Sequence, residues 1–188
     1  MNLIMNIIFF IQKVDNLILN YIKDNMHVHI MDKIMVIITS LGNWGVIWII
    51  ISCLLIINKK YRNIGLMALG ALILSTILGE GILKHIIKRT RPCVDISPIN
   101  LLIKKPLSYS FPSGHTTSSF AVVGVLYRYF KNYTFELFAI AILIAFSRLY
   151  LYVHYPTDIL GGIILGLICS KIIIHIFNRF KWRINYGK

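Results

Sequence analysis

Three short stretches of this chain combine cationic, imidazole and carboxylate side chains at spacings that suit work on a phosphoryl group. The first is KHIIKRTRP, residues 84–92, in which Lys84 is followed seven residues later by Arg91 and then Pro92. The second is FPSGH, residues 111–115, and the third is SRLYLYVHYPTD, residues 147–158, with Arg148, His154 and Asp158. Lys84, Arg91 and Arg148 can neutralise the charges of a phosphoryl group, and guanidinium forks match its oxygens bidentately. Pro112 suits the first turn of a helix, which would leave the N–H groups of Ser113 and Gly114 at an anion-binding helix N-terminus. Gly114 would also let the backbone come close to a ligand. One of the two histidines must attack phosphorus and the other must protonate the leaving oxygen. His154 is the candidate nucleophile. Pro156 is expected to open a helix, so Asp158 in its first turn can hold one imidazole nitrogen and leave the other free. His115, beside the anion site, is the candidate general acid.

These residues need elements to bring them together, and the composition says which. The chain has 188 residues, enough for a single domain, and 57% of them are hydrophobic. The mean hydropathy of +0.72 is well above that of a soluble domain. A bilayer-spanning helix needs about 20 apolar residues. Segments near that length run from 34 to 57 (with a break at LGNWG, 41–45), 64 to 83, 112 to 130, 135 to 152 and 159 to 177. The expected fold is an all-α polytopic membrane bundle of five to six transmembrane helices. Residues 1–22 mix apolar side chains with Lys13, Asp15, Asn16 and Asn20. They read either as an amphipathic helix lying on the membrane or as a sixth, weaker span. Trp44, Trp48 and Trp182 suit interfacial positions. The start, MNLIMNIIFFIQK, has neither the early basic residue nor the small-residue cleavage site of a signal peptide.

On this map the first two clusters precede the third segment and the third cluster follows the fourth. Two crossings separate them, so all three fall at one membrane face. The net charge of +13 lies in clusters that suit anionic head groups or substrates, and no polar domain is left over to bind nucleic acid. Basic residues after the first, third and fifth segments (Lys59, Lys60, Arg62; Arg128, Lys131; Arg179, Lys181, Arg183, Lys188) would mark one side as cytoplasmic. The opposing loop charges, Lys84 to Lys105, fit this orientation if they serve a site. Within that loop Lys88 and Arg89 read as anchors or lipid head-group contacts, and Glu80, four residues before Lys84, reads as its orienting partner. Gly162 and Gly166 form a GxxxG, read as close packing inside the bundle. Cys53, Cys93 and Cys169 are scattered without metal-binding spacing; the first and last read as packing residues and Cys93 as exposed. His27, His29, His85 and His175 have no chemical company.

The pattern KxxxxxxRP, PSGH, SRxxxxxHxxxD resembles the three-part signature of the phosphatidic acid phosphatase type 2 superfamily, with every defining position present between residues 84 and 158. Residues 1–30 carry none of it. The chain is similar to the short bacterial members, some of which dephosphorylate undecaprenyl diphosphate and others phosphatidylglycerophosphate or phosphatidic acid. The resemblance implies one membrane-embedded phosphatase domain over 1–188, without metal or other cofactor, working through a phosphohistidine. It implies phosphate binding by Lys84, Arg91, Ser113, Gly114 and Arg148, a nucleophile in His154, a general acid in His115 and an orienting carboxylate in Asp158. It also implies a multi-pass place in a bacterial plasma membrane with the site facing outward. Undecaprenyl diphosphate is the favoured substrate. Phosphatidylglycerophosphate or phosphatidic acid, and a non-catalytic lipid-phosphate binding or transport protein, are the alternatives. The related vanadium haloperoxidases are soluble, and the apolar segments argue against that activity.

Overall fold

Apolar runs of this length, interrupted by few charges, satisfy their backbone groups in hydrocarbon only by forming helices. All the elements found among the described residues are helical. The fold is that of a computed structural model, described for residues 2–94 and 101–186, with no account of the side chains of residues 2, 4 and 180–186. The expectations for Trp182 and for Lys181, Arg183 and Lys188 fall outside that description. In chain order the helices are α1 (Asn2–Asn25), α2 (His29–Leu41), α3 (Val46–Ile57), α4 (Arg62–Thr76), α5 (Lys84–Ile87), α6 (Gly114–Tyr129), α7 (Thr134–Tyr150) and α8 (Pro156–Tyr186).

By length and composition three continuous helical stretches among the described residues can cross a membrane: Arg62–Ile87, Lys131–Tyr150 and Pro156–Arg179. The pair α2–α3 makes a fourth if it is one span, bent by 46° where a 3-10 turn, Asn43–Gly45, passes through the left-handed region at Trp44 (φ 54°). The fifth expected segment, 112–130, is helical only over the 16 residues of α6. Pro112 lies outside that helix, whose N-cap is Ser113. Phe9, Phe10, Ile57, Phe135 and Ile164 are all more than half exposed, the outward apolar surface expected of a lipid-solvated protein.

The short α6 is the centre of the bundle. Every residue from Thr116 to Leu126 is buried, between α4, α7 and α8. Its hydroxyls are satisfied internally: Thr117 Oγ1 donates to Ser113 O at 2.8 Å and Ser119 Oγ to His115 O at 2.7 Å. The GxxxG of α8 packs against it, as expected. A Cβ at Gly166 would stand 2.6 Å from Thr117 O and 2.8 Å from Ala121 N, so only glycine permits this backbone contact. Trp48 corrects an expectation: it is fully buried and its indole N–H donates to Ser119 Oγ at 2.9 Å, whereas Trp44 at the bend is 93% exposed. A partner waiting inside the bundle outweighed the usual interfacial preference. Cys93 is likewise buried rather than exposed, in a small cluster with Ile22, Tyr150, Leu151 and Val153.

Between α4 and α5 the chain runs through a π-helical stretch, Ile77–Leu83, a wider coil often found at functional sites. The helix ends at Ile87, because Lys88 turns left-handed (φ 50°). Lys84 and Arg91 are therefore not two turns apart on one helix, as their spacing suggests. Arg91 sits in the loop beyond, and the Arg-Pro step comes after the helix has already stopped.

Candidate active site

A cavity of about 690 Å³ opens between the α2–α3 bend, the π stretch, the loop around 103–108 and the start of α6. Lys84, Arg91, Gly114, His115, Arg148 and His154 all line it, and among the described residues Glu80 is the one carboxylate that does so. Six of the eight residues expected to form the site thus meet at one cavity. The other two, Ser113 and Asp158, stand behind its wall.

Arg91 is 6% exposed and rigidly held. Its Nε donates to Ser108 O at 2.7 Å, Nη2 donates to Tyr109 O at 3.1 Å, and Nη1 donates to Val153 O at 2.9 Å. Arg148 donates from Nη1 to Thr39 Oγ1, while its buried Nε has no hydrogen-bond partner among the described residues. An orphaned guanidinium N–H in a cationic cavity is a donor in want of an acceptor. Lys84 pairs with Glu80 at 2.8 Å and donates to Ser108 Oγ at 3.2 Å, which bears out the expected Glu80 contact.

His154 is 1% exposed, and its two nitrogens have different surroundings. Nε2 lies 2.9 Å from Arg91 Nη1. Arginine only donates, so Nε2 must accept, and the ring proton belongs on Nδ1. Nδ1 is 3.4 Å from both Asp158 Oδ2 and Ser110 Oγ. The tautomer thus places a lone pair against Arg91 and the proton towards the carboxylate. Burial holds the imidazole well below its ordinary value, at about 3, so the ring is neutral at physiological pH.

Asp158 is fully buried in the first turn of α8, which Pro156 opens as expected. It accepts from Ser110 Oγ, from Tyr155 N–H at 2.8 Å and from Arg89 Nη1 at 2.7 Å. Arg89 is therefore no head-group anchor: after the left-handed turn at Lys88 its guanidinium points inward. Ser113 needs a second correction. Its backbone N–H, expected at an anion site, donates instead to Asp158 O at 3.2 Å, and its buried hydroxyl accepts from Thr116 Oγ1.

His115 stands across the cavity, more open than His154. Its Nε2 lies 3.0 Å from Asn43 Oδ1, an acceptor that keeps a proton on that nitrogen. Its ring lies over Gly42, where a Cβ would stand 2.7 Å from His115 Cδ2. Asn43, Ser108, Ser110 and Thr39 support the site but carry no signal in the sequence beyond the Gly-flanked polar break that holds Asn43.

A model of the PAP2 superfamily matches residues 65–182. The chain is 34% identical over 139 residues to an undecaprenyl-diphosphatase of Sulfolobus acidocaldarius, covering 72% of this chain and 66% of that protein. It is 29% identical over 150 residues to a lipid A 4'-phosphatase of Porphyromonas gingivalis, covering 72% of this chain and 64% of that one. The chain thus spans slightly less than two thirds of the length of these relatives. Among solved structures, Aquifex aeolicus LpxE superposes with a TM-score of 0.74 at 29% identity, covering 86% of this chain and 95% of that one. A PAP2-type phosphatidylglycerolphosphate phosphatase of Bacillus subtilis gives 0.72 at 27% identity, covering 89% and 86%. With the family match covering more than half of its length and six of the eight signature residues at one cavity, the chain belongs to the PAP2 superfamily.

Proposed function

We propose that this protein is an integral membrane lipid phosphatase that releases phosphate through a phosphohistidine on His154. The observation that carries it is the cavity itself: three buried cations and two histidines line one space, with the unprotonated Nε2 of a neutral imidazole set against the Arg91 guanidinium. Lys84, Arg91 and Arg148 bind the phosphoryl oxygens, Gly114, where a Cβ would meet the Glu80 carboxylate, lets the backbone come close, and Ser113 acts from behind by fixing the start of α6. His154 Nε2 attacks phosphorus in line. As the P–N bond forms, the bond from phosphorus to the leaving oxygen breaks, and His115 gives that oxygen a proton. The imidazole becomes cationic, and its Nδ1–H closes on Asp158. Water then attacks the phosphohistidine, His115 takes back a proton, the P–N bond breaks and phosphate leaves. The cations stabilise the charge spread over the equatorial oxygens in both steps.

The favoured substrate is undecaprenyl diphosphate. The S. acidocaldarius relative and a B. subtilis relative at 29% identity both carry the name undecaprenyl-diphosphatase. A glycerophospholipid phosphate is the second reading, favoured by a phosphatidylglycerophosphatase B of B. subtilis, 39% identical over 98 residues. The protein would work in a bacterial plasma membrane with its site facing outward. Purified protein assayed in detergent against prenyl diphosphates, phosphatidylglycerophosphate and phosphatidic acid should release phosphate fastest from the prenyl diphosphate. Acid quenching should lose, and alkaline quenching keep, a labelled phosphoprotein. Neither phosphate release nor phosphoprotein from any of these lipids would leave a binding or transport protein as the better reading.

A further inference from the structure

Asp15 is 1% exposed in a helix whose neighbouring side chains Val14, Leu17 and Ile18 all face outward. A carboxylate taken out of water needs charge and hydrogen bonds in return. Asp15 finds them at the back of the active site. Its Oδ2 accepts from Arg89 Nη2 at 2.6 Å and from Thr157 Oγ1 at 2.5 Å, and its Oδ1 accepts from Thr157 N–H at 3.0 Å. It therefore caps the N-terminus of α8 from another helix, one residue before Asp158.

Arg89 joins the two carboxylates. Nη1 donates to Asp158 Oδ1 and to Thr157 Oγ1, both at 2.7 Å, and Nη2 donates to Asp15 and to Gln12 Oε1 at 2.8 Å. The guanidinium carbon lies 4.1 Å from the centre of the Tyr155 ring. Both planes of freedom of the fork are thus taken. Gln12, Asp15, Leu19 and Ile22 fall at three- and four-residue intervals on one face of α1, which packs against the loop carrying His154.

We propose that Asp15 is a positioning residue for the reaction, acting through Arg89 to set the place and the effective charge of Asp158. This rests on the reading of His154 as nucleophile. The physical reason is the sharing of one cation between two carboxylates. With Asp15 present, Arg89 is held on one side and spends part of its charge there. Asp158 then keeps enough negative charge on Oδ2 to stabilise the imidazolium that forms when His154 attacks. With Asp15 neutralised, the whole guanidinium charge falls on Asp158, at the expense of the cationic ring. An N-terminal helix outside the residues matched by the family model thereby becomes part of the catalytic apparatus.

The test compares Asp15→Asn, Asp15→Glu, Lys13→Gln and His154→Ala with the parent enzyme in detergent micelles, reading kcat, KM and melting temperature. Asp15→Asn should lower kcat about ten-fold, a loss in the range seen when an outer partner of a reacting group is removed. KM and inhibition by vanadate should stay within two-fold, since Lys84, Arg91 and Arg148 are untouched. Asp15→Glu should recover part of kcat, and Lys13→Gln, on the exposed face, should match the parent. If Asp15→Asn does not fold, Gln12→Leu unloads the same arm of Arg89 and should cost kcat about three-fold at unchanged KM, in proportion to one hydrogen bond. Asp15→Asn with parental kcat and only a lower melting temperature would make Asp15 an anchor and overturn the proposal, as parental kcat in Gln12→Leu would in its place. Loss of activity in His154→Ala beside parental Asp15→Asn sinks this inference alone. Parental activity in His154→Ala sinks the phosphohistidine reading and this one with it.

Discussion

The two histidines face one cavity from walls built in different ways. His154 is almost wholly buried, with Arg91 against one nitrogen and Asp158 and Ser110 near the other, and Asp158 is itself held by three donors. Among the described residues His115 has one hydrogen-bonding side-chain partner, Asn43, and it borders the bend of the α2–α3 pair. A nucleophile must present one lone pair in one direction, so its tautomer and ring angle have to be fixed before substrate arrives. A group that first gives a proton to the leaving oxygen and then takes one from water needs room and access. The asymmetry is what a division of labour between the two imidazoles would require.

Four measurements would break or sharpen that contrast. His154→Ala should lower phosphate release by at least about a thousand-fold, because it removes the proposed nucleophile, and His115 across the cavity lacks the carboxylate that Asp158 sets beside His154. Activity within ten-fold of the parent would end the assignment. His115→Asn should cost about a hundred-fold or more on a lipid substrate, the usual weight of general acid catalysis. On a nitrophenyl phosphate, whose leaving group needs no proton, the first step should be spared. A burst of nitrophenol with accumulation of phosphoprotein is the expected signature, and its absence would remove His115 from the acid role. Asn43→Ala should lower kcat only about five-fold, the worth of one hydrogen bond of roughly 1 kcal/mol. A loss as large as that of His115→Asn would show the open wall to be as tightly organised as the buried one.

The last measurement is of stability against pH. His154 is held at about 3 when folded and has an ordinary value of 6.5. Between those values the unfolded chain binds a proton that the folded chain refuses, so this group destabilises the fold progressively as pH falls below 6.5. The slope from this one group is at most about 1.4 kcal/mol per pH unit. The detergent-solubilised parent should therefore lose a few degrees of melting temperature between pH 7 and pH 5. His154→Asn should show a shallower fall, whereas equal slopes in the two proteins would mean that His154 is charged in the folded state.

The family, six residues of the cavity lining and the membrane setting were legible because their signals are local. Signature spacings such as PSGH or HxxxD act within one helix turn, and apolar run length reports directly on a lipid solvent. Arg89 shows where locality ends. It and Lys88 are adjacent, equally basic and equally close to a membrane span. The left-handed turn at Lys88 sends one outward and the other to Asp158 and Asp15. Nothing in the two side chains announces that turn. Trp48 and the Ser113 backbone N–H show the same limit: an indole expected at an interface and an N–H expected at an anion site were each claimed by a partner distant in the chain.

Asp15 is the strongest case. In the sequence it interrupts an apolar stretch and weakens it as a span. In the structure it is a buried carboxylate between α8 and Arg89, 142 residues from the Thr157 it binds and 74 from Arg89. The sequence by itself determined that this chain is a helical membrane protein carrying a phosphate-handling set of lysine, arginine, histidine and aspartate, since those properties follow from side-chain chemistry and short-range period. Only the tertiary structure decided which charges face the cavity, which stand behind it and which helix reaches the cation paired with Asp158. A buried charge is settled by whichever partner reaches it first, and that is a matter of packing between helices rather than of spacing along the chain.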